Sequence, residues 1–304
     1  MGDLINDGRP FVGARAHELD ISKASLRALV SDHRVRRVLR GVYVDATAPD
    51  TRALRAGALH LIKPRAAVFY GVTVAFLLGV DAFPPGARFD FTPQCVVPHG
   101  SSRCRCPLVR CREGYLPEPD LDVVEGLVVT NAVRTTVDML RSLWRPYALS
   151  AADSMARAGL VSREGVMAYI RPMKRYPGIV QARALAPVIE RRTESPGESW
   201  LRLRLVDAGF AIPEPQIKVL DGAGVFRGRL DNGYREAKVG TEYDGREFHS
   251  DDDDKDHDEG RRGYLTDVLG WRVAVARREQ IFGADPAFEV KVGEWLGIPP
   301  LPRR

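Results

Sequence analysis

The sequence predicts an α/β protein, α+β overall, in three parts, and three observations carry that expectation. Two short helical stretches and an arginine-rich strand pair fill residues 1–50. Helical and strand-like segments alternate through 51–192, and a strand framework set with acidic residues spans 193–304. In the first part, Phe11 to Asp20 is a short apolar-spaced stretch. After Ile21, Ser22 can cap a helix holding Leu26, Leu29 and Val30 at i, i+3 and i+4. HRVRRVLRGVYVD follows, in which Val35, Val38, Val42 and Val44 are interleaved with Arg34, Arg36, Arg37 and Arg40, and Arg40-Gly41 makes the turn. Helix, helix, wing is the order in which a second helix enters the major groove while a basic strand pair lies against phosphates. Ser25, Arg27, Arg34, Arg36, Arg37 and Arg40 are therefore the candidate DNA-binding residues. The alternative is an exposed helical hairpin whose basic strands serve only for packing.

The middle part reads as helical and apolar over 51–80, broken by Pro64, then as short strands over 87–129 with turns at Pro98-His99-Gly100 and Pro117-Glu118-Pro119. TNAVRTTVDMLRSL restores a helix, with Thr130 as cap, Val133, Val137, Met139 and Leu140 for burial, and Arg134 with Asp138 as a surface pair. Helices continue through ALSAADSMARAG, LVSREGVMAYI and IVQARALAPVIE. All four cysteines, Cys95, Cys104, Cys106 and Cys111, fall across an expected hairpin turning at PHGSS. Zinc ribbons use paired C-x-x-C knuckles, which this spacing lacks, so buried thiols fit better than a structural Zn²⁺. His17, His33 and His60 carry no motif and are read as surface or packing residues.

The last part carries the acids. Asp231 closes one expected strand, and Glu242 and Asp244 close the next, flanking Tyr243 and projecting to one face of it. Glu198 lies on a helical stretch with Trp200, Leu201, Leu203, Leu205 and Val206 just ahead of the strands. Carboxylates so placed suit a hard cation, Mg²⁺ or Mn²⁺, although most acids at strand ends only stop a strand or cap a turn. The glycines Gly222, Gly224 and Gly228 lie between two strands and do not open a helix, which makes a hairpin turn rather than a nucleotide-binding loop.

Two families are resembled. ISKASLRALVSDHRVRRVLRGVYV, with RRVLRGVYV the specific part, resembles the winged-helix head of AbiEi-type antitoxins, and AVRTTVDML resembles their second half. That resemblance implies operator binding and a toxin as partner. ESPGES, PEPQIKV, RLD, EYDG and LGWRV resemble the very-short-patch-repair (Vsr) endonuclease-like domains of the PD-(D/E)XK superfamily, over about 193–282. This second resemblance implies a restriction-endonuclease fold in which Asp231, Glu242 and Asp244 hold Mg²⁺ or Mn²⁺ and Glu198 positions water or a second cation. Gln216, His249 and Arg261 match further positions, His249 and Arg261 as donors that neutralise phosphate charge. The superfamily's lysine is replaced by Asp244, and residues 251–259 hold seven acids and one lysine, a run that repels a phosphate backbone.

With 304 residues, 44% hydrophobic and 28% charged, the composition is that of an ordinary folded protein, and the net charge of +5 favours nucleic acid without proving it. No leader pattern or long apolar window is visible, so a cytoplasmic protein without membrane contact is expected. Two functions follow as expectations: a metal-dependent DNA endonuclease targeted by a winged helix, or a non-catalytic DNA-binding regulator of the toxin–antitoxin type. Target sequence, oligomeric state and toxin stay open.

Overall fold

The computed structural model describes residues 7–83, 89–101, 106–245 and 263–302, in a mixture of helices and three sheets that agrees with the α/β expectation. His249, Arg261, Cys104 and the acidic run 251–259 lie outside the described residues. The chain divides by contact into two compact units, 1–142 with 160–179 and 143–159 with 180–304. The three-part division at 50 and 192 remains a proposal.

The first unit opens with β1 (Phe11–Val12), a 3-10 turn (Gly13–Leu19), helix α1 (Lys23–Ser31), and strands β2 (Val35–Leu39) and β3 (Val42–Asp45). These strands form a small sheet in the order β1-β3-β2, antiparallel throughout. Ser22 caps α1 as its position suggests, its Oγ accepting from the Ser25 amide at 3.0 Å. Helix α2 (Arg52–Ile62), capped by Thr51, leads to a five-stranded sheet ordered β6-β5-β4-β8-β7, built from β4 (Val68–Phe69), β5 (Gln94–Val97), β6 (Arg110–Glu113), β7 (Leu121–Val124) and β8 (Leu127–Thr130), with α3 (Val72–Leu77) after β4. One core serves both sheets: Val38, Leu39, Val42 and Val44 pack with Phe69, Val97, Leu127 and Val129. Helices α4 (Ala132–Ser142) and α6 (Arg163–Ile170) complete the unit.

Three expectations are corrected here. The expected hairpin does not pair β5 with β6, because these two strands run parallel with Cys95 beside Cys111. Cys95 is buried, and Cys106 and Cys111 are half-buried. Helix α4 is capped by Asn131, whose Oδ1 accepts from the Arg134 amide at 2.8 Å, rather than by Thr130, whose hydroxyl bonds Thr135. The pair Arg134–Asp138 is buried, since Arg134 also donates to Asp120 and Asp138 also accepts from Arg141, which shuts water from a network that periodicity alone places on a surface.

The second unit is built on α5 (Arg145–Arg157) and α8 (Pro196–Asp207), with α7 (Ile179–Leu185) between them in sequence. Strands β9 (Glu214–Leu220), β10 (Phe226–Tyr234) and β11 (Val239–Tyr243) form an antiparallel meander. β12 (Arg272–Ala276) then joins β11 in parallel, and α9 (Arg278–Phe282) and α10 (Ala287–Leu296) follow. The expected turn at Gly222-Ala223-Gly224 is a hairpin. Asp221 Oδ1 accepts the Ala223 and Val225 amides, and Gly224 takes a φ of +78° that a side chain would strain. Asp231 lies inside β10 rather than at its end, and Asp244 follows β11.

Helix α8 is buried nearly all round and carries its charge inward. Arg202 donates to Asp153 of α5 and to Thr193 Oγ1 at 2.6 Å, while Asp153 also accepts the Glu190 amide at 2.8 Å. Arg204 donates to Glu289 and to the carbonyls of Ile281 and Asp285. Gly197 leaves room for Tyr243, whose ring would stand 2.0 Å from a Cβ there. Removing one member of a buried pair costs more than removing both, because the survivor keeps its desolvation penalty. Arg202→Met should therefore lower unfolding free energy in urea by about 3–5 kcal/mol, and Arg202→Met with Asp153→Asn by clearly less. Equal losses in the single and double variants would mean that the pair does not hold α5 to α8.

Candidate functional sites

The head presents two basic surfaces of different character. On α1, Lys23 and Arg27 are exposed and have no ion-pair partner among the described residues, and Arg34 is exposed just beyond the helix. Ser25 is half-buried, its Oγ 2.7 Å from Ser22 Oγ, so it belongs to the cap. On the wing the arginines are engaged within the chain. Arg36 donates to the Ala48 carbonyl at 2.8 Å, Arg37 to Asp90 at 2.6 Å, and Arg40 to Thr92 at 3.5 Å. Asp90 and Thr92 escape sequence reasoning because they are some fifty positions away and carry no local pattern.

The carboxylates of the second unit are brought together in part. The β9–β10 ladder pairs Leu230 with Ile217 and Asn232 with Pro215, and in the unpaired interval lie Asp231 and Gln216. Gln216 holds a φ of +54°, a region that β strands and side chains both avoid. Its Nε2 donates to Glu198 Oε2 at 2.7 Å, while its Oε1 is buried without a hydrogen-bond partner, as is Asn232 Oδ1. Glu198 sits at the start of α8, where Ser195 Oγ accepts the Glu198 amide and Glu198 Oε2 accepts the Glu194 amide at 3.0 Å. The pattern Ser195-x-x-Glu198 is a capping-box signature that reads directly from sequence, and it gives Glu198 a structural task. Asp231 Oδ2 accepts the Tyr243 amide at 2.8 Å. Glu242 is buried in β11, and Asp244 pairs instead with Arg277 at 3.2 Å.

Burial pushes the Asp231 carboxyl up to about 7, and the charges of Glu198 and Glu242 push the same way against the Tyr243 amide and Arg229. A carboxyl so placed is a reasonable site marker, since burial beside like charge is what tunes acids and bases. Among the described residues, however, no group of three or more His, Cys, Asp or Glu is placed to hold a metal ion. Joint cation binding by Asp231, Glu242 and Asp244 is therefore a proposal, and no hydrolytic step is drawn from the set.

A raised Asp231 means that the folded state keeps a proton which the unfolded chain gives up near pH 4, so stability falls as pH rises from there through about 7. Asp231→Asn removes the charge and keeps an acceptor for Tyr243. Its melting temperature should exceed that of the parent at pH 8, and by clearly less at pH 5. A gain that is the same at both values would show that Asp231 does not titrate in this range.

Comparison with known proteins adds two findings. Two uncharacterized proteins of Mycobacterium tuberculosis, from strains CDC 1551 and H37Rv, are each 28% identical over 208 residues, covering 68% of this chain and 70% of each relative. Residues 66–187, from the five-stranded sheet through the helices that follow it, match the family model of the AbiEi antitoxin C-terminal domain.

Proposed function

We propose that this protein is a non-catalytic DNA-binding regulator of the AbiEi antitoxin type, holding duplex DNA with its head and paired with a toxin. The observation that carries the reading is the family match over 66–187, preceded in the chain by a 3-10 turn, helix α1 and a basic strand pair over 11–45. The exposed side of α1 supplies Lys23 and Arg27 to the groove, with Arg34 beside it at the wing's entrance. No described helix is long and apolar enough to cross a membrane. The direct test is fluorescence anisotropy with duplex DNA from upstream of the gene. Changing Lys23, Arg27 and Arg34 to Ala should weaken binding about tenfold or more and flatten the salt dependence by roughly 0.9 in log–log slope per lost phosphate contact. Unchanged affinity and slope in a folded variant would remove α1 from the interface.

A second reading rests on Asp231 alone: a Vsr-like PD-(D/E)XK endonuclease requiring Mg²⁺ or Mn²⁺, with Glu198, Asp231, Glu242, Asp244, Gln216, His249 and Arg261 at the site. What supports it is a buried carboxyl raised beside Glu198 and Glu242, next to a glutamine in a left-handed conformation. Plasmid cleavage with Mg²⁺, Mn²⁺ or chelator decides. Metal-dependent cutting that disappears in Asp231→Asn upholds this reading, and intact plasmid under all three conditions leaves the regulator.

A further inference from the structure

The wing arginines are held in a way that packing does not require. Arg37 Nη1 meets Asp90 Oδ1 at 2.6 Å, and its guanidinium lies 5.9 Å from the centre of the Tyr43 ring. Arg40 reaches Thr92 of the same short segment. That segment is fixed by Phe91, whose ring sits 5.1 Å from Phe76 and 4.5 Å from Phe83, so Asp90 is delivered to the wing by an anchored neighbour. The wing turn is fixed from the other side, because Leu108 fills the space a Cβ on Gly41 would need. Yet the pair itself stands in water, with the Arg37 and Asp90 side chains 40% and 56% exposed. The packing of Phe91 thus places an anionic oxygen against a solvent-facing guanidinium.

An exposed ion pair contributes little to folding and exchanges readily, whereas a phosphodiester offers arginine a charge-assisted, forked partner. On the reading that the head binds DNA, we infer that Asp90 occupies the position of a backbone phosphate on the wing and competes with DNA for Arg37. DNA engaging α1 must then either leave Arg37 unused or displace Asp90, and in both cases Asp90 lowers affinity. Lys23 and Arg27 carry no such internal competitor among the described residues.

The test uses the full chain and a labelled duplex, measuring Kd across a salt series for the parent, Asp90→Asn, Arg37→Ala, the double variant and Arg27→Ala. Asp90→Asn should bind about two- to fivefold tighter, the range that an exposed ion pair spans. Arg37→Ala should weaken binding more in the Asp90→Asn background than in the parent. Melting temperature shows that each variant folds. If the parent binds and Arg27→Ala weakens it while Asp90→Asn binds equally or more weakly, the competition is overturned and the DNA-binding head stands. If tighter binding by Asp90→Asn persists without Arg37, a general charge effect replaces the specific one and the inference is likewise overturned. Should no variant bind DNA, the head reading and the competition fall together.

Discussion

The first unit depends on one apolar core that lies under two sheets at once. Val38, Leu39, Val42 and Val44 are almost fully buried against Phe69, Val97, Leu127 and Val129, so the wing cannot part from the five-stranded sheet without exposing both. Apolar area removed from water stabilises by roughly 25 cal/mol per Å², and eight such side chains therefore outweigh any of the polar contacts on the wing's outer side. This burial sets where charge can go. With the valines inward, Arg36, Arg37 and Arg40 face partners brought by the sheet's own loops, while α1 keeps an open basic side.

The second unit solves a different problem, because its central helix buries charge. Arg202 and Arg204 are matched by Asp153 and Glu289, and the match ties α8 to elements far away in sequence. Asp231 shares its surroundings with Glu198 and Glu242, and burial together with their charge outweighs the Tyr243 amide and Arg229 in favouring its protonated form. Glu198 is spent on the helix cap and Gln216, and Asp244 on Arg277. A phosphodiester-cleaving centre and a retained structural knot would differ in whether anything replaces that proton.

Much of this was legible in residue order. Ser22 before Leu26 and Leu29, the valine alternation of the wing, and the Gly-x-Gly hairpin all act within a few positions, and local chemistry decides them. The parallel pairing of β5 with β6 was not legible, since a turn-rich connection looks the same whether the chain returns antiparallel or crosses over. Nor was the burial of Arg134 and Asp138, an i, i+4 pair that is ordinary on a surface and becomes a core network only because Asp120 arrives from another element. Among the candidate residues, Asp231 was singled out by type and spacing, though its place inside β10 was not. The capping task of Glu198 was readable from Ser195 but hidden by its attractiveness as a ligand, and Asp90 and Arg277 left no trace because their roles exist only across long separations.

The central claim is that DNA is held by the head and not by the carboxylate-bearing sheet. Amide hydrogen exchange of the whole protein, with and without saturating duplex DNA, asks this of each segment separately. Slowed exchange should be confined to residues 23–45, covering α1 and the wing, with 214–243 unchanged. Protection of 214–243 with none over 23–45 would contradict the account and place the nucleic acid on the other unit.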